Sequence, residues 1–196
     1  MRYARLLPQM WTSEITASVL DLVAAQRGER VVDLGAGMGA ATVVAARSGA
    51  FVVAVDPTPY MRGILGLRRL AQRARRRISV VDGAAEAIPV ADGSVDALWS
   101  VNAMHHWTDL DRALGEIHRV LRPGGRLVLV DEDFDDPAHP AHERFRRGRA
   151  EHGHHFDVID PIEVAARLQR LGFASVGGSL SKVGGRPAKL VQGVNG

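Results

Sequence analysis

The stretch VVDLGAGMGA, residues 31–40, carries the clearest structural signal in the sequence. Two valines precede Asp33, and Gly35, Gly37 and Gly39 follow at alternate positions. β-branched residues favour a strand, and closely spaced glycines allow a tight turn into a helix whose first backbone N–H groups face a ligand. The stretch therefore predicts a strand, a glycine turn and a helix, with a ligand at the turn.

The same alternation continues along the chain. Strands are predicted at residues 30–34, 51–55, 78–82, 95–101 and 126–130, with weaker ones near 174–176 and 190–191, and helices at 14–25, 38–47, 59–75, 108–121 and 160–172. Strands that alternate with helices pair in parallel through right-handed crossovers. The predicted fold is α/β, a three-layer sheet that binds ligands at the carboxyl ends of its strands.

The length of 196 residues predicts a single domain over residues 1–196. Within it we expect residues 1–28 to form an N-terminal helix or cap, and the aperiodic segment 132–158 to form a substrate lid. No apolar run approaches the ~18 residues of a membrane span, and the N-terminus lacks the features of a secretory signal. We therefore expect a cytoplasmic protein without a membrane partner. Because the chain has no cysteine, disulfides, thiolate zinc sites and cysteine nucleophiles are excluded.

The glycine turn by itself leaves three interpretations open. The spacing Gly35-x-Gly37-x-x-Ala40, with Asp56 about 20 residues later, satisfies a permissive dinucleotide pattern. A tight strand-to-helix turn also favours glycine when no ligand binds. The carboxylate of Asp33 favours the third interpretation, because it repels a pyrophosphate and attracts an ammonium or sulfonium ion. S-adenosylmethionine has both cations, a ribose for Asp56 and no phosphate.

Several motifs together resemble one family. VVDLGAGMG matches the pattern hydrophobic-D-x-G-x-G-x-G, Asp56-Pro-Thr-Pro-Tyr-Met61 matches an acid followed by x-[ST]-x-x-M, and Ala85-Glu-Ala-Ile-Pro89 matches A-E-x-[IL]-P. With Asp96, His105-His106 and Leu121-Arg-Pro-Gly-Gly, residues 30–131 resemble a class I S-adenosylmethionine-dependent methyltransferase of the small-molecule group called type 11. The resemblance implies a Rossmann-like methyltransferase fold, with a mostly parallel sheet and an antiparallel last strand.

The resemblance also implies a cofactor site for S-adenosyl-L-methionine and its product S-adenosyl-L-homocysteine. Asp33 is expected near the methionine end, Asp56 at both ribose hydroxyls and Met61 on the adenine. The full set of implied cofactor-binding residues is Asp33, Gly35, Ala36, Gly37, Asp56, Pro57, Met61, Gly83, Ala84, Ala85, Glu86, Val101 and Asn102. The family often carries an aspartate where this chain has Ala84, which removes a side-chain acceptor for the adenine amino group.

Methyl transfer from a sulfonium needs an acceptor that is positioned and relieved of a proton. His105 and His106 follow the fourth strand and are the candidate bases, with His106 preferred; the other interpretation is that they cap the loop. Asp131, Glu132, Asp133, Asp135 and Asp136 precede a histidine-rich stretch in which the HHF segment, 154–156, is a candidate substrate contact. A magnesium site there is the alternative, but no three ligands have diagnostic spacing, so we assign no metal.

The acceptor is predicted by elimination. The chain reads SVNAMHHW where base-modifying families carry N/D-P-P-Y/F, and without cysteine it cannot form a covalent adduct with a pyrimidine. Nucleic acid is therefore disfavoured, and the arginine clusters at 68–77 and 143–152 are either solvated helix faces or phosphate contacts. A small metabolite remains, and the basic lid is compatible with an acidic one.

Two rival functions stay open beside this enzyme. One is an S-adenosylmethionine-binding module without turnover, such as a partner subunit of a nucleic-acid-binding complex. The other is a nicotinamide dehydrogenase. A homodimer in which a second copy walls the acceptor side is compatible with the sequence.

Overall fold

A computed structural model describes residues 14–152 and 159–196. In chain order the elements are α1 (Glu14–Val23), β1 (Arg30–Leu34), α2 (Ala40–Ser48), β2 (Phe51–Asp56), α3 (Pro59–Leu70), β3 (Ile78–Asp82), β4 (Val95–Val101), α4 (Leu110–Val120), β5 (Leu121–Glu132), α5 (His142–His152), α6 (Pro161–Arg170), β6 (Ala174–Val183) and β7 (Arg186–Val194). Short 3-10 turns occupy Arg75–Arg77 and Met104–His106.

The strands form one seven-stranded sheet in the order β3-β2-β1-β4-β5-β7-β6. The five strands from β3 to β5 are parallel, and β7 runs antiparallel to both β5 and β6. The antiparallel strand arises because a tight turn joins β6 directly to β7, so that no helix crosses over between them. This confirms the predicted mostly parallel sheet with an antiparallel last strand.

Helices cover both faces of the sheet. On one face α1 and α2 bury Ile15, Val19 and Val43 against residues of β1, β2 and β4. On the other face α4 and α6 bury Leu114 and Leu168 in a second cluster that includes residues of β4 and β5. Successive residues of a strand belong to opposite clusters, for example Val31 and Val32 of β1, because side chains alternate between the two faces of a sheet. The three-layer prediction is confirmed.

Three predicted boundaries are wrong. Arg122-Pro-Gly-Gly was expected to separate a helix from a strand, but β5 already begins at Leu121, and a register shift lies between Val95 and Ala97 of its partner β4. The helix after β2 ends at Leu70 rather than near residue 75, since the following arginines form a 3-10 turn. The last two strands are much longer than their short apolar cores, because the hairpin between them supplies hydrogen bonds that apolar patterning does not reveal.

The aperiodic segment 132–158, the predicted lid, contains the helix α5, His142–His152. Its sequence, HERFRRGRAEH, has a single large apolar residue, so no apolar stripe could reveal the helix. Phe145 on this helix stacks on Phe134, with ring centroids 3.7 Å apart. Residues 1–13 of the predicted N-terminal cap and the HHF segment lie outside the described residues. Among the helices of the described ranges, none is long and apolar enough to cross a bilayer.

Gly178 on β6 marks a close approach between sheet and helix. A Cβ atom there would lie 2.0 Å from the carbonyl oxygen of Pro161 and 3.0 Å from the Cβ of Ala165, whereas a Cβ on Gly177 would meet nothing within 4 Å. We expect Gly178→Ala to lower the free energy of unfolding by ~1–3 kcal/mol, because α6 has to move away from the strand. Urea denaturation measures the change, with Gly177→Ala as the matched control. Equal losses in the two variants would contradict this packing.

Candidate functional site

The carboxyl ends of β1, β2, β4 and β5 meet at one edge of the sheet because these strands are parallel neighbours. Each end carries a polar side chain near its last position: Asp33, Asp56, Asn102 and Asp131. All four are buried or half-buried. The structure therefore brings together the predicted cofactor residues of the first two strands and the histidine loop after β4.

The glycine turn is held by the neighbouring strand. The backbone N–H groups of Gly35 and Ala36 both donate to the carbonyl oxygen of Val55, at 2.9 and 3.0 Å. A Cβ on Gly35 would lie 2.4 Å from that of Ala103, whereas one on Gly37 would meet nothing within 4 Å. Because Gly35 has no side chain, the loop after β4 can pack directly against the glycine turn. Gly37, with φ +52°, is the turn glycine that borders open space.

Asp33 lies beneath this turn and is 3% exposed. Its Oδ2 accepts a hydrogen bond of 2.5 Å from the hydroxyl of Thr42 on α2. Burial raises the pKa of Asp33 to about 6, while hydrogen bonds from Thr42 and an interaction with the indole of Trp99 offset part of the rise. The charge of Asp56 adds a small further rise. No basic side chain of residues 14–152 or 159–196 forms an ion pair with Asp33, so a cation brought by a ligand would find an uncompensated carboxylate.

Asp56 closes β2 and organises two backbone segments. Its Oδ2 accepts from the N–H of Gly37 at 2.7 Å, and its Oδ1 accepts from the N–H of Thr58 at 2.8 Å. Arg62 donates to the carbonyl oxygen of Asp56 and pairs with Asp82 on the next strand, each at 2.8 Å. Each carboxylate oxygen of Asp56 retains a second lone pair for a ligand hydroxyl.

The loop after β4 is fastened to the end of β5. The carboxylate of Asp131, 4% exposed, accepts hydrogen bonds from the backbone N–H groups of Ala103, Met104 and His105 at 3.0–3.3 Å. It also contacts Nδ1 of His105 at 2.8 Å. Since a carboxylate accepts, the hydrogen of this contact lies on Nδ1 of His105.

The ring of His106 lies beside that of His105, with centroids 4.1 Å apart. Desolvation by the surrounding protein, followed by the charge of His105, lowers the pKa of His106 below its ordinary value. The surroundings of His106 therefore favour its neutral form.

A buried polar network anchors the start of the predicted lid. Asn102, in the left-handed region with φ +53°, donates through Nδ2 to Glu132 at 2.9 Å and accepts from its backbone N–H at 2.7 Å. The other carboxylate oxygen of Glu132 meets Nε2 of His139 at 2.8 Å and the guanidinium of Arg186 at 3.0 Å. Burial opposes ionisation of Glu132, but these hydrogen bonds outweigh it and lower its pKa.

The remaining predicted cofactor residues are placed as follows. Ala84 bridges to Ala87 in a tight turn, and Ala85 and Met61 are 4% and 8% exposed. Glu86 accepts from the backbone N–H groups of Thr108 and Asp109 and from the Thr108 hydroxyl, at 2.6–3.2 Å, so its carboxylate serves the start of α4. Pro57 and Val101 directly follow or end strands β2 and β4 at the same edge.

Sequence reasoning missed the supporting roles of Thr42, Arg62 and Asp131. Asp131 lies near the end of an apolar strand, as Asp33 and Asp56 do, but in the sequence it opens an acidic run that conceals this role. Thr42 and Arg62 lie nine and six residues beyond the acids they support, on helices, where no ligand spacing marks them. Within the described ranges, no three acidic or histidine side chains converge as a metal site.

Comparisons with known proteins agree with this geometry. Residues 32–129, half of the chain, match the family model described as a methyltransferase domain. A protein of Mycobacterium tuberculosis named as an uncharacterized methyltransferase is 44% identical over 117 residues, which are 60% of this chain and 45% of that protein. The ubiquinone/menaquinone biosynthesis C-methyltransferase of Rubrivivax gelatinosus is 36% identical over 117 residues, 60% of this chain and 44% of that protein. The matched part thus spans less than half of each relative.

Among solved structures, an S-adenosylmethionine-dependent methyltransferase from Aquifex aeolicus superposes with a TM-score of 0.70 and 21% identity, covering 93% of this chain and 92% of that one. At this identity the likeness shows the fold. Together with the family match, it means that this chain belongs to the class I S-adenosylmethionine-dependent methyltransferases. The cofactor of this family is S-adenosyl-L-methionine.

The turn around Gly37 and Asp56 yields a binding prediction. Asp56→Ala removes the predicted ribose acceptor and leaves two backbone N–H groups without their partner, so we expect the affinity for S-adenosylhomocysteine to fall at least ~10-fold. Isothermal titration calorimetry measures it. Asp82→Ala is the matched control, since Asp82 ends the adjacent strand opposite Asp56 but its side chain is 73% exposed. Unchanged affinity in Asp56→Ala would place the ribose elsewhere.

Asp33 yields a prediction about pH. Its pKa is about 6 in the folded chain against an ordinary 3.8, so the unfolded chain releases this proton first as pH rises. The folded state is therefore progressively disfavoured between those two values, and the loss is complete above the higher one. We expect Asp33→Asn to gain stability relative to the wild type across this range, by up to ~3 kcal/mol at pH 7.

Urea denaturation of both proteins at about pH 4.5 and pH 7 measures this difference. Asp21, exposed on α1, supplies the control variant Asp21→Asn. A stability difference for Asp33→Asn that stays constant with pH would show that the buried carboxyl does not titrate in this range.

Proposed function

We propose that this chain transfers the methyl group of S-adenosylmethionine to a small-molecule acceptor. The observation that carries the proposal is the position of His105. Its imidazole is held by Asp131 on the loop that packs directly against the glycine turn, where the Cβ of Ala103 fills the space beside Gly35. A proton acceptor thus lies next to the turn that this family uses for the methyl donor.

The residues of the turn fit the donor. S-adenosylmethionine supplies a methyl group that is activated by a sulfonium charge, so the protein needs no acid to activate the leaving group. Asp33 and Asp56 would hold the cationic and ribose parts of the donor, and the open side of Gly37 leaves room for it. The predicted adenine contacts of Met61 and of residues 83–86, and those of Ala36, Pro57, Val101 and Asn102, belong to the same proposal.

His105 is the stronger candidate for the base, with His106 beside it. The hydrogen bond from Nδ1 to Asp131 orients the His105 ring and would stabilise an imidazolium. When the acceptor takes the methyl group from the bound donor, His105 would take the proton that the acceptor gives up. The contact with Asp131 favours His105 as the base over His106, the residue preferred from the sequence.

The acceptor is proposed to be small and acidic. The Rubrivivax relative is named for C-methylation in quinone biosynthesis, which supports a small-molecule acceptor here. Helix α5 carries Arg144, Arg146 and Arg147 in its sequence, and residues 132–158 are proposed as the lid over the acceptor. The network of Glu132 with Asn102, His139 and Arg186 would anchor that lid beside the histidine loop. A homodimer that completes the acceptor side and a cytoplasmic location complete the proposal.

The test is release of S-adenosylhomocysteine when the chain is incubated with S-adenosylmethionine and fractions of a small-molecule extract. We expect turnover with an acidic fraction, and a loss of kcat of ~10²–10⁴-fold in His105→Gln with unchanged affinity for S-adenosylhomocysteine. Asp131→Asn should also lower kcat, because the ring loses its orientation.

His118→Gln is the matched control, since His118 lies on α4 beside Phe173 and outside the site. Loss of kcat in this control equal to that in His105→Gln would contradict the role of His105. Tight binding of S-adenosylhomocysteine without turnover in any fraction would favour the rival function, a binding module.

A further inference from the structure

Helix α3 has an apolar face on the outside of the molecule. Met61 and Leu65 face the core, and the opposite side exposes Tyr60, Leu67 and Leu70, whose exposed fractions are 55%, 72% and 64%. Their spacing of seven and three residues places them along one line of the helix. We call these three residues the outer stripe. A surface helix normally presents polar residues on this side, so the outer stripe indicates a contact.

The apolar surface continues beyond the helix. A groove of about 610 Å³ runs between α1, α2 and α3, and its apolar lining includes Ala17, Val43, Val44, Ile64 and Leu67. Val44 is itself 43% exposed. The outer stripe is therefore the rim of a broader apolar surface rather than a pair of isolated leucines.

Next to the outer stripe, at the end of α3 and just after it, several arginines carry positive charge that no ion pair within the described ranges neutralises. Arg69 lies in the last turn of α3, Arg73 lies between α3 and the following 3-10 turn, and Arg75 and Arg76 lie in that turn. Nε of Arg69 donates to the carbonyl oxygen of Arg75 at 3.1 Å. We call these four residues the arginine turn. No carboxylate in residues 14–152 or 159–196 forms an ion pair with any of them.

Several arginines elsewhere in the described ranges are paired with acids. Ion pairs of 2.5–3.0 Å hold Arg119, Arg122, Arg126, Arg167 and Arg186. The arginine turn therefore concentrates unbalanced charge at one place, directly after the exposed leucines.

We propose that the outer stripe and the arginine turn bind this chain to the surface of an anionic lipid bilayer. Leucines and tyrosine on one line of a helix can enter the headgroup region, and adjacent guanidinium groups bind lipid phosphates. The binding is peripheral and needs no helix that spans the membrane. It replaces the expectation, drawn from the sequence alone, that the chain has no membrane partner.

Two other occupants fit the surface less well. In a two-fold dimer through this face the arginine turns of both copies would approach each other, and like charges would oppose association. Single-stranded nucleic acid stacks its bases on several aromatic rings, but the outer stripe has one, Tyr60, beside two leucines. The ring of Phe51 is covered by the guanidinium of Arg77 at 4.6 Å. Aliphatic residues beside unpaired arginines match a lipid surface better than either.

The test is cosedimentation of the full chain with vesicles of phosphatidylcholine alone or mixed with phosphatidylglycerol. We expect binding to the mixed vesicles only, weakening as salt is added. The triple variant Arg73→Gln, Arg75→Gln, Arg76→Gln should lower the partition coefficient about 100-fold. The double variant Leu67→Ser, Leu70→Ser should lower it at least ~5-fold through lost apolar insertion.

Matched controls lie on other elements. Ile162 and Leu180 are 67% and 70% exposed on α6 and β6, so the double variant Ile162→Ser, Leu180→Ser should bind as the wild type does. Arg170→Gln is the control for charge. Cooperative urea denaturation reports folding of every variant, and each substituted side chain lies outside the predicted cofactor site.

Several results would overturn the proposal. They are absence of binding to the mixed vesicles, an unchanged partition coefficient in the Leu67 and Leu70 variant, or an equal loss in the controls. Binding of single-stranded RNA that the arginine variant abolishes, without vesicle binding, would assign the surface to nucleic acid. Because vesicle binding needs no methyl transfer, this proposal and the proposed function fail or stand separately.

Discussion

The hydrogen bond from the backbone N–H of Gly37 to the carboxylate of Asp56, at 2.7 Å, joins the glycine turn to the end of β2. It forms only because β1 and β2 are parallel neighbours whose ends lie at the same edge of the sheet. The same carboxylate receives the N–H of Thr58 and so positions the start of α3. One acid thereby fixes the glycine turn, the end of β2 and the entry into the next helix.

Acids at strand ends repeat this arrangement across the sheet. Asp33 anchors α2 through Thr42, and Asp131 gathers the N–H groups of the loop after β4. A buried carboxylate is costly unless donors surround it, and backbone N–H groups in loops need acceptors. Each acid therefore accepts hydrogen bonds from a neighbouring loop or helix, and these hydrogen bonds offset the cost of burying its carboxylate. Asp33 is the exception, since burial leaves its pKa at about 6, and this remaining imbalance is what a cationic ligand would relieve.

The two faces of the sheet differ in what they leave exposed. Helices α4 and α6 bury their apolar residues in one large cluster, and Arg167 between them pairs with acids on both. On the other face α3 buries few large side chains and keeps leucines and arginines outside. The large cluster on this face is built by α1 and α2, so the outer side of α3 is not part of the core.

The sequence by itself determined the order of the strands along the chain, their parallel pairing through helices, and the acids and glycines of the first two strand ends. These features are local: β-branched runs, glycine turns and apolar periodicity express preferences that few residues set. It could not reveal α5, whose charged sequence has no apolar stripe, nor the full length of the last hairpin, whose hydrogen bonds join strands rather than neighbouring residues.

Only the tertiary structure decided what each marked residue touches. A side chain at position 35 would collide with Ala103, which is 68 positions away in the chain. Asp131 likewise contacts His105 across a separation of 26 residues. Glu86, a motif residue, turns to the start of α4 instead of to an open site. Such contacts arise where strand ends that are distant in the chain become neighbours, and a sequence pattern records the residue type at each end but not the partner that the sheet brings to it.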